Sequence, residues 1–105
     1  METNVMKNFR TFHLAVKFYR QVRTLKLPSH LKDQLFRAAS SICLNLAEGR
    51  GKVSRKDQLR YFHIAMGSVR ECQAALILAD LEYSASWAEL DSVAASLHRL
   101  LERAS

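Results

Sequence analysis

The chain has 105 residues, of which 49 % are hydrophobic; it contains one proline and three glycines and has a formal net charge of +6. This length fits one domain, so we expect residues 1–105 to fold as a single unit. The scarcity of proline and glycine argues against an all-β fold, and the hydrophobic share argues against disorder. The chain is also too short for a catalytic α/β domain with a separate cofactor domain.

Apolar residues recur at helical spacing in the first half of the chain. They predict a first helix from Asn8 to about Leu25, which ends before the only proline. Ser29 is expected to cap a second helix. Gly49 is expected to lie just past its end in the left-handed conformation.

The second half of the chain predicts two more helices. Ser54 and Asp57 favour the start of a third helix that lasts to about Leu81. Ser86 and Glu89 form an S-x-x-E capping box for the fourth. Because short connections make neighbouring helices antiparallel, the sequence predicts an all-α, up-down-up-down four-helix bundle.

The cysteines and the N-terminus indicate a compartment. Cys43 and Cys72 lie in apolar surroundings, which favours buried free thiols over a redox or bridging role. The N-terminal residues show no apolar core of signal-peptide length, and no apolar run is long enough to span a bilayer. We therefore expect a cytoplasmic protein without a membrane role.

The second and third helices carry more apolar residues than one core stripe needs. This surplus predicts a subunit interface; the alternative is a wide core stripe in a small bundle. Gly67 lies inside the third helix, where glycine is unfavourable. Close approach of another helix, or a tolerated surface glycine, would explain it.

No catalytic or metal-binding motif stands out. The stretch Gly49–Lys52 resembles a phosphate loop but lacks its first glycine and the Ser/Thr after the lysine. Glu48 and Glu71 are the only acid/base candidates. We therefore expect neither an enzyme nor a bound cofactor or metal.

Basic residues concentrate in two places. The basic stripe consists of Arg10, His13, Lys17 and Arg20, spaced along one face of the first helix, with Lys7 and Arg23 near its ends. The basic cluster consists of Arg50, Lys52, Arg55, Lys56 and Arg60, where amides at the start of the third helix add anion affinity. Such cations can track phosphates, which predicts nucleic-acid backbone binding; the alternative is a solvated polar face.

The segment 45–49 combines polar residues with a helix end. Asn45 lies near the core stripe and is expected to bond a neighbouring helix or loop. Glu48 opposes the helix dipole unless a cation such as Arg50 or Arg55 compensates. A structural polar network is one interpretation, and a functional site is the other.

Two blocks of this sequence resemble a known family. They read Gln34-Leu35-x-Arg37-Ala38-Ala39-x-Ser41-Ile42-x-x-Asn45-x-Ala47-Glu48-Gly49 and Arg60-x-Phe62-x-Ile64-Ala65-x-Gly67-Ser68-x-x-Glu71. Both are similar to the bacterial four-helix-bundle proteins encoded in intervening sequences of 23S ribosomal RNA. Cys43 departs from the proline of many members, and the first helix lacks their tryptophan.

The resemblance implies a homo-oligomeric ring, in known cases a pentamer, with no established enzymatic activity. It also implies a helix-packing or assembly role for Asn45, Glu48, Gly49, Gly67, Ser68 and Glu71. The accessory proteins of diversity-generating retroelements form similar basic rings, which engage a reverse transcriptase and nucleic acid. We therefore expect a non-catalytic oligomer that binds RNA or DNA; the alternative is a protein-protein scaffold or adaptor without a nucleic-acid role.

Overall fold

Four α-helices make up the computed structural model, which describes residues 6 and 8–104. They are α1 (Arg10–Val22), α2 (Ser29–Arg50), α3 (Arg55–Leu78) and α4 (Ala85–Ala104). No strand occurs in the described part of the chain. The all-α class and the number of helices are therefore confirmed.

Each helix packs against two others, so that α1 contacts α2 and α4, and α3 contacts the same two helices. Fully buried side chains from all four helices fill the space between them, including Phe18, Leu35, Ile42, Leu76, Leu90 and Leu97. The radius of gyration of the Cα atoms is 13.7 Å. A compact domain of this length has a value of about 13 Å, so the helices form a compact four-helix bundle.

The first helix is shorter than its apolar pattern predicts and ends at Val22. The next residues form a turn in which the Thr24 hydroxyl donates to the Gln21 carbonyl at 2.7 Å. The Lys32 ammonium, on α2, donates to the carbonyls of Arg23 and Leu25. These bonds satisfy carbonyls that a longer helix would have paired internally.

Two predicted roles at the ends of α2 are wrong. Ser29 is the first helical residue rather than the cap, which is Pro28 and makes no side-chain bond. Gly49 lies inside the helix, and no described glycine has a positive φ. Close packing explains this glycine, because a Cβ there would lie 2.7 Å from Cε1 of Phe62 on α3.

The start of α3 follows the prediction, and its end comes earlier. The Ser54 hydroxyl accepts a hydrogen bond from the Asp57 amide at 3.1 Å, as expected of a cap. Asp80 has a φ of 58° and stops the helix at Leu78. The Leu81 amide then donates to the Leu76 carbonyl at 2.8 Å, as in a Schellman motif.

The predicted capping box of α4 is wrong. Ser84 caps the helix instead, since its hydroxyl accepts from the Trp87 amide at 3.2 Å. Tyr83, with a φ of 72°, reverses the chain immediately before it. Ser86 and Glu89 therefore fall inside the helix, where the Ser86 hydroxyl and one Glu89 oxygen are buried without a hydrogen-bond partner among the described residues.

The surplus apolar residues of α2 and α3 divide into two groups. Ala39, Ala65 and Cys72 are buried within the bundle. Leu44 and Leu78 are 68 % and 70 % exposed, and Ile64 on α3 is 44 % exposed. The wide core stripe therefore accounts for part of the surplus, and the rest lies on the surface.

No described helix combines the length and the hydrophobicity that crossing a bilayer requires.

Candidate nucleic-acid interface

The basic stripe lies on the exposed side of α1. Its buried side carries Thr11, Ala15, Phe18 and Val22. The stripe residues and Arg23 are all exposed: Arg10, His13, Lys17, Arg20 and Arg23. Lys7 lies outside the described residues. The structure thus brings the α1 cations to one continuous face, as their spacing predicts.

The groove beside the stripe contains one acidic residue from α4. Glu89 lines it together with Lys17 and Arg20. These two cations make no hydrogen bond or ion pair with another described residue. Sequence reasoning missed Glu89 because it considered α1 alone, and α1 packs against α4. The carboxylate reduces the positive potential at one edge of the stripe without pairing with Lys17 or Arg20.

Most cations of the basic cluster are bound within the protein. The Arg55 guanidinium donates to the Arg103 carbonyl at the end of α4, at 3.1 Å. The Arg60 guanidinium lies 4.0 Å from the Asp57 carboxylate and 4.6 Å from the centre of the Tyr61 ring. Lys56 alone among the five makes no such contact within the described part. The cluster therefore has fewer cations without internal contacts than its sequence suggests.

Lys52 supplies the cation that Glu48 needs. Its ammonium lies 3.1 Å from the Glu48 carboxylate and 5.2 Å from the centre of the Tyr61 ring. The hydrogen bond with Glu48 raises the pKa of Lys52. A nearby cation therefore compensates Glu48, as expected, and it is the i,i+4 residue Lys52.

The amino end of α3 is already occupied. Ser54 caps it, and Asp57 places a carboxylate in the first turn. These two side chains already interact with the backbone amides and the helix dipole at the start of α3, which an external anion would need. The added anion affinity expected at this helix start is therefore reduced by the chain itself.

One end of the bundle holds an arginine cleft that the sequence did not indicate. Arg10, Arg50, Arg99 and Arg103 line a cleft of about 550 Å³. Arg10 begins α1, Arg50 ends α2, and the other two lie near the end of α4. Sequence reasoning missed Arg99 and Arg103 because the last segment of the chain has no basic excess. Their i,i+4 spacing was the available signal.

Three of the six family-motif residues, Asn45, Gly49 and Ser68, lie at the contact between α2 and α3. The Asn45 amide donates to the Ser41 carbonyl at 2.9 Å, on its own helix, and to the Ser41 hydroxyl at 3.1 Å. The Ser41 hydroxyl lies 2.8 Å from that of Ser68 on α3. Asn45 therefore reaches α3 through Ser41, and the expected bond to a neighbouring helix or loop is replaced by bonds within α2. Gly49, described above, also belongs to this α2–α3 contact. Glu48 is exposed and pairs with Lys52 in the loop between α2 and α3.

The remaining two motif residues face outward. Gly67 is exposed, and no atom lies within 4 Å of a Cβ built on it. Within one chain, close helix approach therefore does not explain this glycine. Gly67 and Glu71 belong to an exposed row along α3, called here the outer row: Ile64, Gly67, Glu71, Ala74 and Leu78.

The cysteines and the ionisable residues add no separate site. Burial raises the pKa of Cys43 to about 11 and that of Cys72 to about 12, so both are protonated thiols near neutral pH. Both are free. In the described part of the chain, no group of three or more His, Cys, Asp or Glu residues is placed to hold a metal ion.

Comparison with known proteins identifies the family. The family model of the 23S rRNA-intervening sequence protein matches residues 4–103. No curated protein matches the chain. The match covers both sequence blocks and all four helices except the last residue of α4. The chain therefore belongs to the 23S rRNA-intervening sequence protein family.

Proposed function

We propose that the protein is a non-catalytic homo-oligomer that binds the phosphate backbone of RNA or DNA through the basic stripe. The observation that carries the proposal is the availability of this charge. Arg10, Lys17, Arg20 and Arg23 are exposed, and none pairs with a carboxylate in the described part of the chain. Charges that are not neutralised internally remain available to bind an external polyanion.

The dimensions of α1 suit a backbone contact. At about 1.5 Å per residue, Arg10 to Arg23 spans about 20 Å along the helix axis. This corresponds to the rise of about six nucleotides in one strand of a duplex. The sequence contains no base-reading motif, so the binding would be led by phosphates and tolerant of sequence.

The outer row supports self-association. Ile64 and Leu78 are exposed apolar residues on α3, and Leu44 adds another on α2. Gly67, with open space above it, allows the backbone of a second helix to approach closely. Since the family resemblance implies a ring, we assign this surface to another copy of the chain. In a pentamer, the formal charge of +6 per chain becomes about +30.

The alternative function is a scaffold or adaptor for another protein, such as a reverse transcriptase. The same exposed apolar residues favour it, because they would bind a foreign partner if copies of the chain left them uncovered. Light scattering distinguishes the two functions. A stable oligomer leaves little of this surface for a partner, whereas a monomer at micromolar concentration contradicts the proposed assembly.

A salt titration tests the nucleic-acid role. Labelled single-stranded RNA and duplex DNA are titrated with the protein between about 50 and 200 mM salt, and binding is followed by fluorescence anisotropy. Four phosphate contacts predict a slope of log K against log salt of about −3 for single strands. Absence of binding at the lowest salt, or binding that does not weaken with salt, would contradict the proposal.

A further inference from the structure

The arginine cleft concentrates positive charge at one end of the bundle. Four guanidinium groups line it against one carboxylate, that of Glu102. The Arg50 guanidinium lies 4.7 Å from the centre of the Phe9 ring, which fixes it at the wall of the cleft. Arginines near the carboxyl end of a helix can stabilise that end, but this role does not account for all four arginines of the cleft. Arg10 begins α1, and Arg99 lies more than one turn before the end of α4.

Polar groups of α1 and α4 form the inner part of this cleft. Thr11 and Ser96 also line the cleft and are 5 % and 7 % exposed. Their hydroxyl groups form a hydrogen bond with an oxygen-oxygen distance of 2.6 Å. In such a pair one hydroxyl proton is shared, and the other is left for a further acceptor. The first turn of α1 has no capping side chain and no acidic residue, so its amides add to the positive potential.

We propose that the arginine cleft binds a terminal phosphate of a nucleic-acid strand. A terminal phosphate carries close to two negative charges at neutral pH, whereas an internal phosphodiester carries one. Its three outer oxygens can accept paired hydrogen bonds from several planar guanidinium groups. The volume of about 550 Å³ holds a phosphate with its attached nucleotide. This inference rests on the proposed function, because the stripe would bind the strand whose end enters the cleft.

Matched oligonucleotides test the proposal. One twelve-nucleotide RNA is prepared with a 5′-phosphate, with a 3′-phosphate and with hydroxyls at both ends, and the Kd of each is measured at fixed salt. At least one phosphorylated form should bind about tenfold more tightly than the hydroxyl form. In the variant Arg99→Ala/Arg103→Ala this advantage should disappear, while the affinity for the hydroxyl form changes little.

A control variant separates the cleft from general loss of charge. Arg37→Ala/Arg70→Ala removes two exposed arginines from α2 and α3, each of which only bonds a glutamine of its own helix. This variant should keep the preference for the phosphorylated end. Light scattering and thermal unfolding verify that both variants retain the fold and the assembly of the wild-type protein.

The possible outcomes distinguish failure of the cleft proposal from failure of the proposed nucleic-acid binding by the stripe. Equal binding of the three RNAs, or a preference that survives in Arg99→Ala/Arg103→Ala, overturns the cleft proposal and leaves the stripe intact. If no RNA binds, the proposed function itself fails. A parallel titration with AMP tests whether the cleft binds the phosphate of a free nucleotide instead of that of a strand end. Binding of AMP that needs Arg99 and Arg103, with no effect of the strand end, also overturns the proposal.

Discussion

The α1–α4 side of the bundle and the α2–α3 side differ in the kind of surface that they expose. Helix α1 has one buried apolar face and one exposed basic face. Helix α2 packs closely on α3 at Gly49, and the two helices still expose Leu44 and Leu78. An apolar surface that one chain leaves uncovered favours assembly, and an unpaired charged surface favours a polyanion. We therefore propose that the α2–α3 side mediates assembly and that the basic face of α1 binds nucleic acid.

The largest expected effect tests the assembly side. In Leu44→Glu/Leu78→Glu, two carboxylates enter the surface assigned to a second copy. Burying unpaired charges costs several kcal/mol, so the oligomer should dissociate into monomers of about 12 kDa. Sedimentation velocity measures the change.

Two other exposed apolar residues provide the matched control. Val53 and Tyr83 are 102 % and 92 % exposed and lie outside α2 and α3. The variant Val53→Glu/Tyr83→Glu should keep the wild-type mass. Dissociation of both variants, or of neither, would contradict the assignment of the interface to the α2–α3 side.

A pair of glycine substitutions sharpens the contrast between the inner and outer surfaces of α2 and α3. Gly49→Ala places a Cβ 2.7 Å from the Phe62 ring and should lower the free energy of unfolding by about 1–3 kcal/mol. Gly67→Ala meets no neighbouring atom and should raise it by up to about 1 kcal/mol. Urea unfolding in the Leu44→Glu/Leu78→Glu background measures both without the effect of assembly. Equal losses for the two variants would show that Gly67 is also packed within one chain.

The hydrogen-bonded chain between α2 and α3 has a smaller expected effect. Ser41→Ala leaves the Asn45 amide and the Ser68 hydroxyl each without one partner and should cost about 1 kcal/mol. Ser40→Ala is the control, because that hydroxyl bonds only the Arg37 carbonyl of its own helix. Chemical denaturation compares the two variants, and identical free energies of unfolding would show that the Ser41 hydroxyl does not stabilise the α2–α3 contact.

Burial of the thiols predicts that the free energy of unfolding falls at alkaline pH but is unaffected by them near neutral pH. A cysteine thiol ordinarily has a pKa of 9.0, and burial raises the pKa of Cys72 to about 12 in the folded state. Because the unfolded chain ionises first, the stability present below pH 9 should fall by up to about 1.4 kcal/mol per pH unit for each thiol above it. Cys72→Ala should reduce this slope relative to the wild-type protein. A slope unchanged by the substitution would contradict the raised pKa.

The sequence predicts the fold more completely than the site, and particular residues show why. Apolar spacing locates four helices because burial on one helix face imposes that spacing. It misplaces the caps at Ser29 and Ser86, because Pro28 takes the capping position of α2 and Ser84, after the positive φ of Tyr83, caps α4. Local charge also finds the basic stripe, since α1 carries the whole set. It misses the arginine cleft and Glu89, which depend on the contact between α1 and α4.

Charge reversal distinguishes the basic stripe from the basic cluster as the nucleic-acid-binding surface. Arg10→Glu/Lys17→Glu/Arg20→Glu changes the stripe, and Arg55→Glu/Lys56→Glu/Arg60→Glu changes the net charge equally in the basic cluster. We expect the stripe variant to lose RNA binding by at least about a hundredfold at low salt with its oligomer intact, and the cluster variant to lose about tenfold or less. Equal losses in the two variants, or a larger loss in the cluster variant, would contradict the assignment of binding to α1.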